Sequence, residues 1–422
     1  MDVPSQDPPT PPAAAASSHG LSRLLGRNLQ ALAVSQAVGK VAGFVAMVVL
    51  ARFLGTVDFG RFTAAIALVS LLAVVTEFGT TQYLIREGAQ RPEAMGETLG
   101  RVLVLRLGLS VATVAAAVPL ALVLGFDRVT VTALLLFAVA SGLRLLAGAY
   151  VVALQALERM RDVAAIQAQQ SMVQAAAMMA AVALTRDLIA VAWSMVVVGM
   201  VYPPYARARL RRRWAGRVRV RAAGLLSTFR VTTAFAVSSA MFVLLTYLDS
   251  VMIQAFRGNA ETGLYGAAYR LLLSLSLVPT IYNESITRSL AYLAATDRAR
   301  MSALYGRSIV HLLMLALPVA VGGALVSGPL MATVFGGQYA GAGTALAILL
   351  ASLVLVFPGY VNTTAAYALG LERRVAVVLP FVVLINAGAN LVLIPAIGIE
   401  GAALATLGSE VLFIGALSML LG

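Results

Sequence analysis

The sequence predicts an all-α integral membrane protein: about 12 transmembrane helices in two six-helix lobes, related by a pseudo-two-fold axis along the membrane normal. Three observations carry this. The chain is 60% hydrophobic and only 12% charged, with mean hydropathy +0.90, whereas a soluble domain is about a quarter charged. Its charges gather in short runs between apolar stretches of about 20 residues, the length a helix needs to cross a bilayer. One phrase also occurs twice, as "FLGTVDFGRFTAA" at 53–65 and "FRGNAETGLYGAA" at 256–268. Both fit F-x-G-x4-G-x-[FY]-x-A-A, and they lie 203 residues apart in a chain of 422.

Residues 1–24 come first. They include "MDVPSQDPPTPPAAAASSHG", which is Pro/Ala/Ser-rich and acidic at its start. A secretory signal has a basic start and an apolar stretch; this composition predicts a disordered tail instead. Twelve apolar runs follow, at 28–54, 61–85, 101–124, 131–156, 164–184, 188–205, 231–256, 263–287, 304–327, 341–367, 376–394 and 401–421. They divide the chain into an N-terminal lobe at 25–206, a basic linker at 207–230 and a C-terminal lobe at 231–422.

Basic residues test the count. With the N-terminus in the cytoplasm, inner segments carry 22 of the 31 Lys and Arg residues, including the run from Arg207 to Arg230. Outer segments and their flanks carry five, namely Arg52, Arg61, Arg128, Arg186 and Arg257. The positive-inside rule then places both termini in the cytoplasm. The run "RARLRRRWAGRVRVRAAG" and the net charge of +13 read as a cytoplasmic loop touching anionic lipid headgroups, not as a nucleic-acid site. The repeated phrase joins spans one and two, then spans seven and eight. Six helices per half is an even number, so both halves cross the membrane in the same sense, as in transporters with a site between parallel repeats.

Several function classes are excluded. There is no cysteine, and the two histidines, His19 and His311, are far apart, so no metal centre is expected. No Gly-rich phosphate loop followed by Lys-Ser/Thr is present, so no ATP motor is expected. No other cofactor is indicated. Outer loops are short, which argues against a membrane enzyme that polymerises or ligates lipid-linked polysaccharide, and no catalytic residue is assigned.

Charged residues inside the spans are the candidate functional groups, because each costs roughly 2.5–3.5 kcal/mol at mid-helix. They are Lys40, Glu77, Arg106, Arg144, Asp249, Arg270, Glu284 and Glu410. Arg106 and Glu284 lie near inner span ends and are expected to snorkel outward as structural residues. Lys40 is the only lysine and lies halfway along span one. Asp249 and Arg270 lie at similar depth in spans seven and eight, and either form an ion pair or serve a substrate. Glu77 and Glu410 lack an obvious basic neighbour; each is a coupling carboxylate or a helix–helix hydrogen-bond partner. Arg144 is expected to reach a cavity or a backbone carbonyl.

Four segments carry a family resemblance: "LARFLGTVDFGRFTAAIALVSLL" at 50–72, "TYLDSVMIQAFRGNAETGLYGAAYRLL" at 246–272, "VFGGQYAGAGTALAILLAS" at 334–352 and "NLVLIPAIGIEGAALATLGSE" at 390–410. They resemble the bacterial polysaccharide-unit (Wzx-type) flippases of the multidrug/oligosaccharidyl-lipid/polysaccharide exporter superfamily. The resemblance spans essentially residues 25–420. It implies two lobes that rock to expose a central cavity to each side in turn, carrying a sugar unit on polyprenyl diphosphate across the bacterial cytoplasmic membrane. A polysaccharide polymerase and glycosyltransferases are the partners it implies, besides membrane lipids. The diphosphate is anionic, so Lys40, Arg270 and Arg144 become its candidate ligands. Arg52 matches the family's helix-one Arg, although its place at a helix end also suits turn structure. Asp249, Glu77 and Glu410 become coupling or ion-pair candidates. Drug exporters of the superfamily usually carry a carboxylate early in helix one; here that helix carries Lys40, which tilts the reading away from drug export.

Overall fold

The computed structural model describes residues 15–219 and 225–421; residues 1–14 of the expected tail, residues 220–224 of the expected linker and Gly422 lie outside them. Among the described residues every regular element is helical. In the N-terminal half these are α1 (Ala15–Glu77), α2 (Thr80–Gln90), α3 (Met95–Val123), α4 (Arg128–Ala156), α5 (Met160–Thr185) and α6 (Leu188–Arg213). The C-terminal half comprises α7 (Leu225–Arg257), α8 (Asn259–Leu275), α9 (Leu277–Thr296), α10 (Arg298–Leu325), α11 (Ser327–Phe335), α12 (Gly343–Ala351), α13 (Leu353–Ala368), α14 (Glu372–Ile397) and α15 (Ile399–Leu421).

Ten stretches of the described residues are long and apolar enough to cross a membrane. The first, Ala37–Gln90, is broken at Gly55 and so makes two crossings. Adding α5, whose 26 residues are long enough but less apolar, brings the count to the twelve expected. Two of the expected spans are made of two helices in line: α8 and α9 meet at Ser276, and α12 and α13 at Ser352. The basic run starts as helix and leaves it at Trp214. α6 continues to Arg213, where Arg209 and Arg213 reach Asp162 of α5 at 3.3 and 3.0 Å.

The repeated phrase fixes the seam between the halves. Gly55 has φ 76° and ψ 177°, and Gly258 has φ 82° and ψ −172°. The two breaks share one backbone conformation, which is accessible to glycine without the clash a Cβ would bring. Just beyond them the helices touch backbone to backbone. A Cβ on Gly60 would stand 1.7 Å from the Asn259 carbonyl oxygen, and one on Gly263 would stand 2.0 Å from that of Thr56. Small residues allow this approach where lipid leaves no hydrophobic drive for helix association.

Around the seam, aromatic residues from both halves form one core. Phe62 meets Phe137 edge to face at 5.4 Å, Phe59 stacks on Phe62 at 5.9 Å, and Tyr339 meets Phe59 edge to face at 6.1 Å. The Tyr339 hydroxyl donates to the Ala51 carbonyl at 3.0 Å. Short carboxylates begin several helices: Asp127, Asp187 and Asp297 accept from the N–H of Thr130, Ile189 and Arg300 at 2.9, 3.0 and 3.0 Å, satisfying amides the helix leaves unpaired.

Candidate functional site

At the seam, two arginines from different halves lie within electrostatic range of one tyrosine. Arg144 of α4 and Arg270 of α8 both interact electrostatically with the Tyr247 phenol of α7. Arg144 lies mid-helix, accessible at its surface yet densely surrounded by protein, and Arg270 is half-buried. Arg270 also lines a small crevice between the halves with Thr63, Tyr247, Ser250 and Tyr269. Of the two guanidinium groups only that of Arg270 lines this crevice, which gives it one fixed cation at mid-span.

A buried arginine holds the backbone next to Arg144. The expectation that Arg106 snorkels is overturned: it is 1% exposed. Phe78 and Gly79 take positive φ of 40° and 67° and break the second crossing between α1 and α2. That break presents two hydroxyls to the guanidinium, Thr80 to Nε and Thr81 to Nη2, both at 2.8 Å. Nη1 donates to the Leu145 carbonyl at 2.7 Å, one residue from Arg144. Glu77 is near enough to Arg106 to interact electrostatically, so the carboxylate that seemed to lack a basic neighbour has one.

Asp249 and Arg270 do not pair among the described residues. Asp249 is 1% exposed, and its carboxylate accepts from the Tyr265 hydroxyl at 2.8 Å, the Thr406 hydroxyl at 2.7 Å and the Asn390 amide at 2.7 Å. The chain continues from Asn390 to Asn386 at 3.1 Å, and from Asn386 to Ser409 at 2.9 Å. This network joins α7, α8, α14 and α15. The Asn390 side-chain oxygen remains buried with no donor. Asn386 and Asn390 are not among the charged candidates of the sequence; their four-residue spacing, which puts both on one helix face, is the signal that could have found them.

The remaining candidates stand elsewhere. Lys40 is exposed and has no ion-pair partner among the described residues; its neighbour Gly39 packs on Ser171 of α5. Arg52 acts as a strap between halves. Its Nε donates to the Val334 carbonyl at 2.8 Å, and its Nη2 to that of Thr333, both at the C-terminal end of α11. Glu410 of α15 is half-buried and lines a cavity within the C-terminal half, near Tyr269. Glu284 is exposed on α9.

Comparison with known proteins agrees with this architecture. The structure is similar to a lipid II flippase MurJ in an inward closed conformation, with TM-score 0.72 and 14% identity over 92% of this chain and 86% of that one. It is also similar to an inward-facing multidrug resistance transporter of the MATE family, with TM-score 0.70 and 13% identity over 90% and 93% of the two chains. At these identities the likeness is one of fold. In sequence, the chain is 29% identical over 171 residues to the probable flippase AglR of Haloferax volcanii, covering 40% of this chain and 36% of that protein. Residues 25–292 match the family described as polysaccharide biosynthesis protein. With well over half its length in that match, this multi-pass membrane chain belongs to the polysaccharide biosynthesis protein family.

Proposed function

We propose that the protein is a flippase that moves a polyprenyl-diphosphate-linked oligosaccharide from the cytoplasmic to the outer face of a bacterial cytoplasmic membrane, for surface polysaccharide synthesis. The observation that carries this reading is the crevice between the halves, lined by Arg270 and Tyr247, with Arg144 of the other half within electrostatic range of the same tyrosine. An anionic diphosphate held there would touch both moving bodies, while its lipid tail stayed in the bilayer. Guanidinium groups suit this task because their fork of donors matches phosphate oxygens. Lys40 is a further ligand for the cargo, reached when the halves separate. In this reading both termini are cytoplasmic, the Gly55 and Gly258 turns face outward, and glycosyltransferases and a polymerase act before and after transport.

Asp249 is the coupling group in this reading, binding a proton or a monovalent cation during the cycle. The set of hard oxygens around it, including the unpartnered Asn390 oxygen, suits either. Glu77 and Glu410 are secondary candidates, Glu77 the weaker because Arg106 is beside it.

The test is made on lipid extracts from cells depleted of the protein. Accumulation of the lipid-linked oligosaccharide on the cytoplasmic face supports the reading. Full delivery to the outer face without the protein overturns it, and drug export then becomes the activity to assay.

A further inference from the structure

A second cavity lies wholly inside one lobe and is chemically unlike the seam. It has a volume of about 510 Å³, in the middle of the range for small-molecule sites, about 300–1,000 Å³. All the residues that line it belong to the C-terminal half, and none is Lys or Arg. Its polar groups are neutral hydroxyls and amides, among them Thr246, Asn283, Thr363, Asn386 and Ser409, with Glu410 as the one carboxylate. Aromatic rings such as those of Tyr269, Tyr360 and Phe413, and aliphatic side chains such as Leu272, Val356 and Ile414, form the rest of the wall.

We propose that this cavity is the subsite for the uncharged sugar rings of the cargo. The inference rests on the flippase reading and divides the cargo between two places: the diphosphate at the arginines of the seam, the glycan inside the C-terminal lobe. A phosphate group finds no cation in this wall. The wall hydroxyls already donate within the protein, Thr246 to the Phe242 carbonyl at 2.8 Å and Thr363 to that of Gly359 at 2.9 Å, so they offer a guest their acceptor lone pairs, which a lipid tail cannot use. A sugar ring meets both kinds of surface. Its hydroxyls exchange hydrogen bonds with Thr, Asn and Ser side chains and donate to the Glu410 carboxylate, and its C–H faces lie on aromatic rings. Because the subsite belongs to one lobe, its shape persists while the lobes rock.

The wall is also part of the Asp249 network. Thr406, which donates to Asp249, lines the cavity, as do Asn386 and Ser409 at the far end of the chain through Asn390. A sugar bonded to Ser409 or Asn386 therefore competes with the bonds that set the amide orientations facing Asp249.

The experiment uses the full-length protein in detergent and two probes. One is the lipid-linked oligosaccharide extracted from cells depleted of the protein; the other is the same polyprenyl diphosphate freed of its glycan. Binding is read by native mass spectrometry for wild type, Tyr360→Leu, Thr363→Leu, Thr363→Val and Arg144→Gln. The cavity variants should weaken the glycan-bearing lipid by about tenfold and leave the bare lipid diphosphate within about twofold. Arg144→Gln should weaken both probes. Thr363→Val keeps the side-chain shape, so the glycan effect can be read even if Thr363→Leu packs badly. Equal weakening of both probes by the cavity variants, or weakening of neither, overturns the subsite. If Arg144→Gln spares both probes while the cavity variants behave as expected, the subsite stands and the diphosphate assignment fails. If depleted cells accumulate no such lipid, the flippase reading fails and takes the subsite with it.

Discussion

Gly60 and Gly263 lie back to back across the seam, and their contacts are reciprocal. A Cβ on Gly60 would strike the carbonyl of Asn259, and one on Gly263 would strike the carbonyl of Thr56. Residues 56 and 259, like residues 60 and 263, are separated by the 203 positions of the repeat. The contact thus maps onto itself when the halves are exchanged, as a two-fold axis requires. Thr63 and Gly266 are also 203 positions apart and face each other, with the Thr63 hydroxyl 2.6 Å from the position a Gly266 Cβ would take.

This contact has no room for a methyl group, so Gly60→Ala and Gly263→Ala should each force the halves apart on the proposed outer face. Overpacking of this kind costs about 1–3 kcal/mol, enough to shift an open–closed balance roughly tenfold. The chain has no cysteine, so a single Cys placed at Thr63 reports directly. Its labelling by a membrane-impermeant thiol reagent should rise in either Ala variant. Unchanged labelling in both would mean that the seam opens without separating these helices.

Arg52 should act on the gate more than on the cargo. Its donors are engaged by the Thr333 and Val334 carbonyls, at the negative end of α11, where a cation is favoured. Arg52→Gln removes the charge and should weaken closure by about 1 kcal/mol, because the group is solvent-exposed and its bonds are worth less there. Binding of lipid-linked oligosaccharide to detergent-purified protein should be nearly unchanged, while the transport rate in proteoliposomes falls. A matched drop in affinity would return Arg52 to the cargo site.

The spans and the two-lobed plan were legible in the sequence because they are local: a bilayer demands about 20 apolar residues, and each Gly turn is written in thirteen residues. The partners of charged residues were not. Asp249 meets Asn390 and Thr406 across 141 and 157 residues, whereas the nearby Arg270 turns to the seam. Arg106 looked like a residue near a span end because the break at Phe78–Gly79, which brings it two hydroxyls, has no strong sequence mark. Repeat arithmetic could have shown the asymmetry. The positions 203 residues before Asp249, Tyr265 and Arg270 hold Ala46, Phe62 and Ala67, so these three polar residues have no counterpart in the N-terminal half. The C-terminal cavity draws its wall from six separate helices and Ser276 and Ser352 between them, a convergence no linear pattern encodes.

Asp127 offers a pH test of the turn between α3 and α4. Partial burial pushes its carboxyl pKa up, but hydrogen bonds from Thr130 and the Arg61 guanidinium outweigh that and hold it below the ordinary value. Arg61 also bonds Asp58 at 2.7 Å, so this acid network ties the second crossing to the start of α4. A carboxyl with a depressed folded pKa stabilises fully above its unfolded value, about 4, and the contribution is lost as pH falls through the folded value. Asp127→Asn should therefore lower the melting temperature at pH 7, and the gap to wild type should narrow steadily below about pH 4. A gap that is constant down to pH 2 would mean that Asp127 acts through its cap geometry alone.

Asp249 separates a coupling role from a structural one. The Asp249→Asn change keeps the side-chain shape and removes the site for a proton or cation. The Tyr265 and Thr406 hydroxyls can each rotate to accept from the new amide, so the network can re-form with its directions reversed. The loss of stability should then stay within about 1–3 kcal/mol, the range for an imperfectly satisfied buried group. Binding of the lipid-linked oligosaccharide should persist, because the arginines of the seam are unchanged and the cavity wall keeps all its side chains, with only the Thr406 hydroxyl turned. Transport in proteoliposomes should lose its response to an imposed ion gradient, falling to the rate that wild type shows with all gradients collapsed. Thr406→Val provides the contrast: it removes one hydroxyl but keeps the carboxylate, so it should retain gradient dependence at reduced rate. If Asp249→Asn remains gradient-driven, the coupling ion binds elsewhere, with Glu410 the next residue to change. If binding, transport and melting temperature all fall together, the network around Asp249 holds four helices in place and does nothing more.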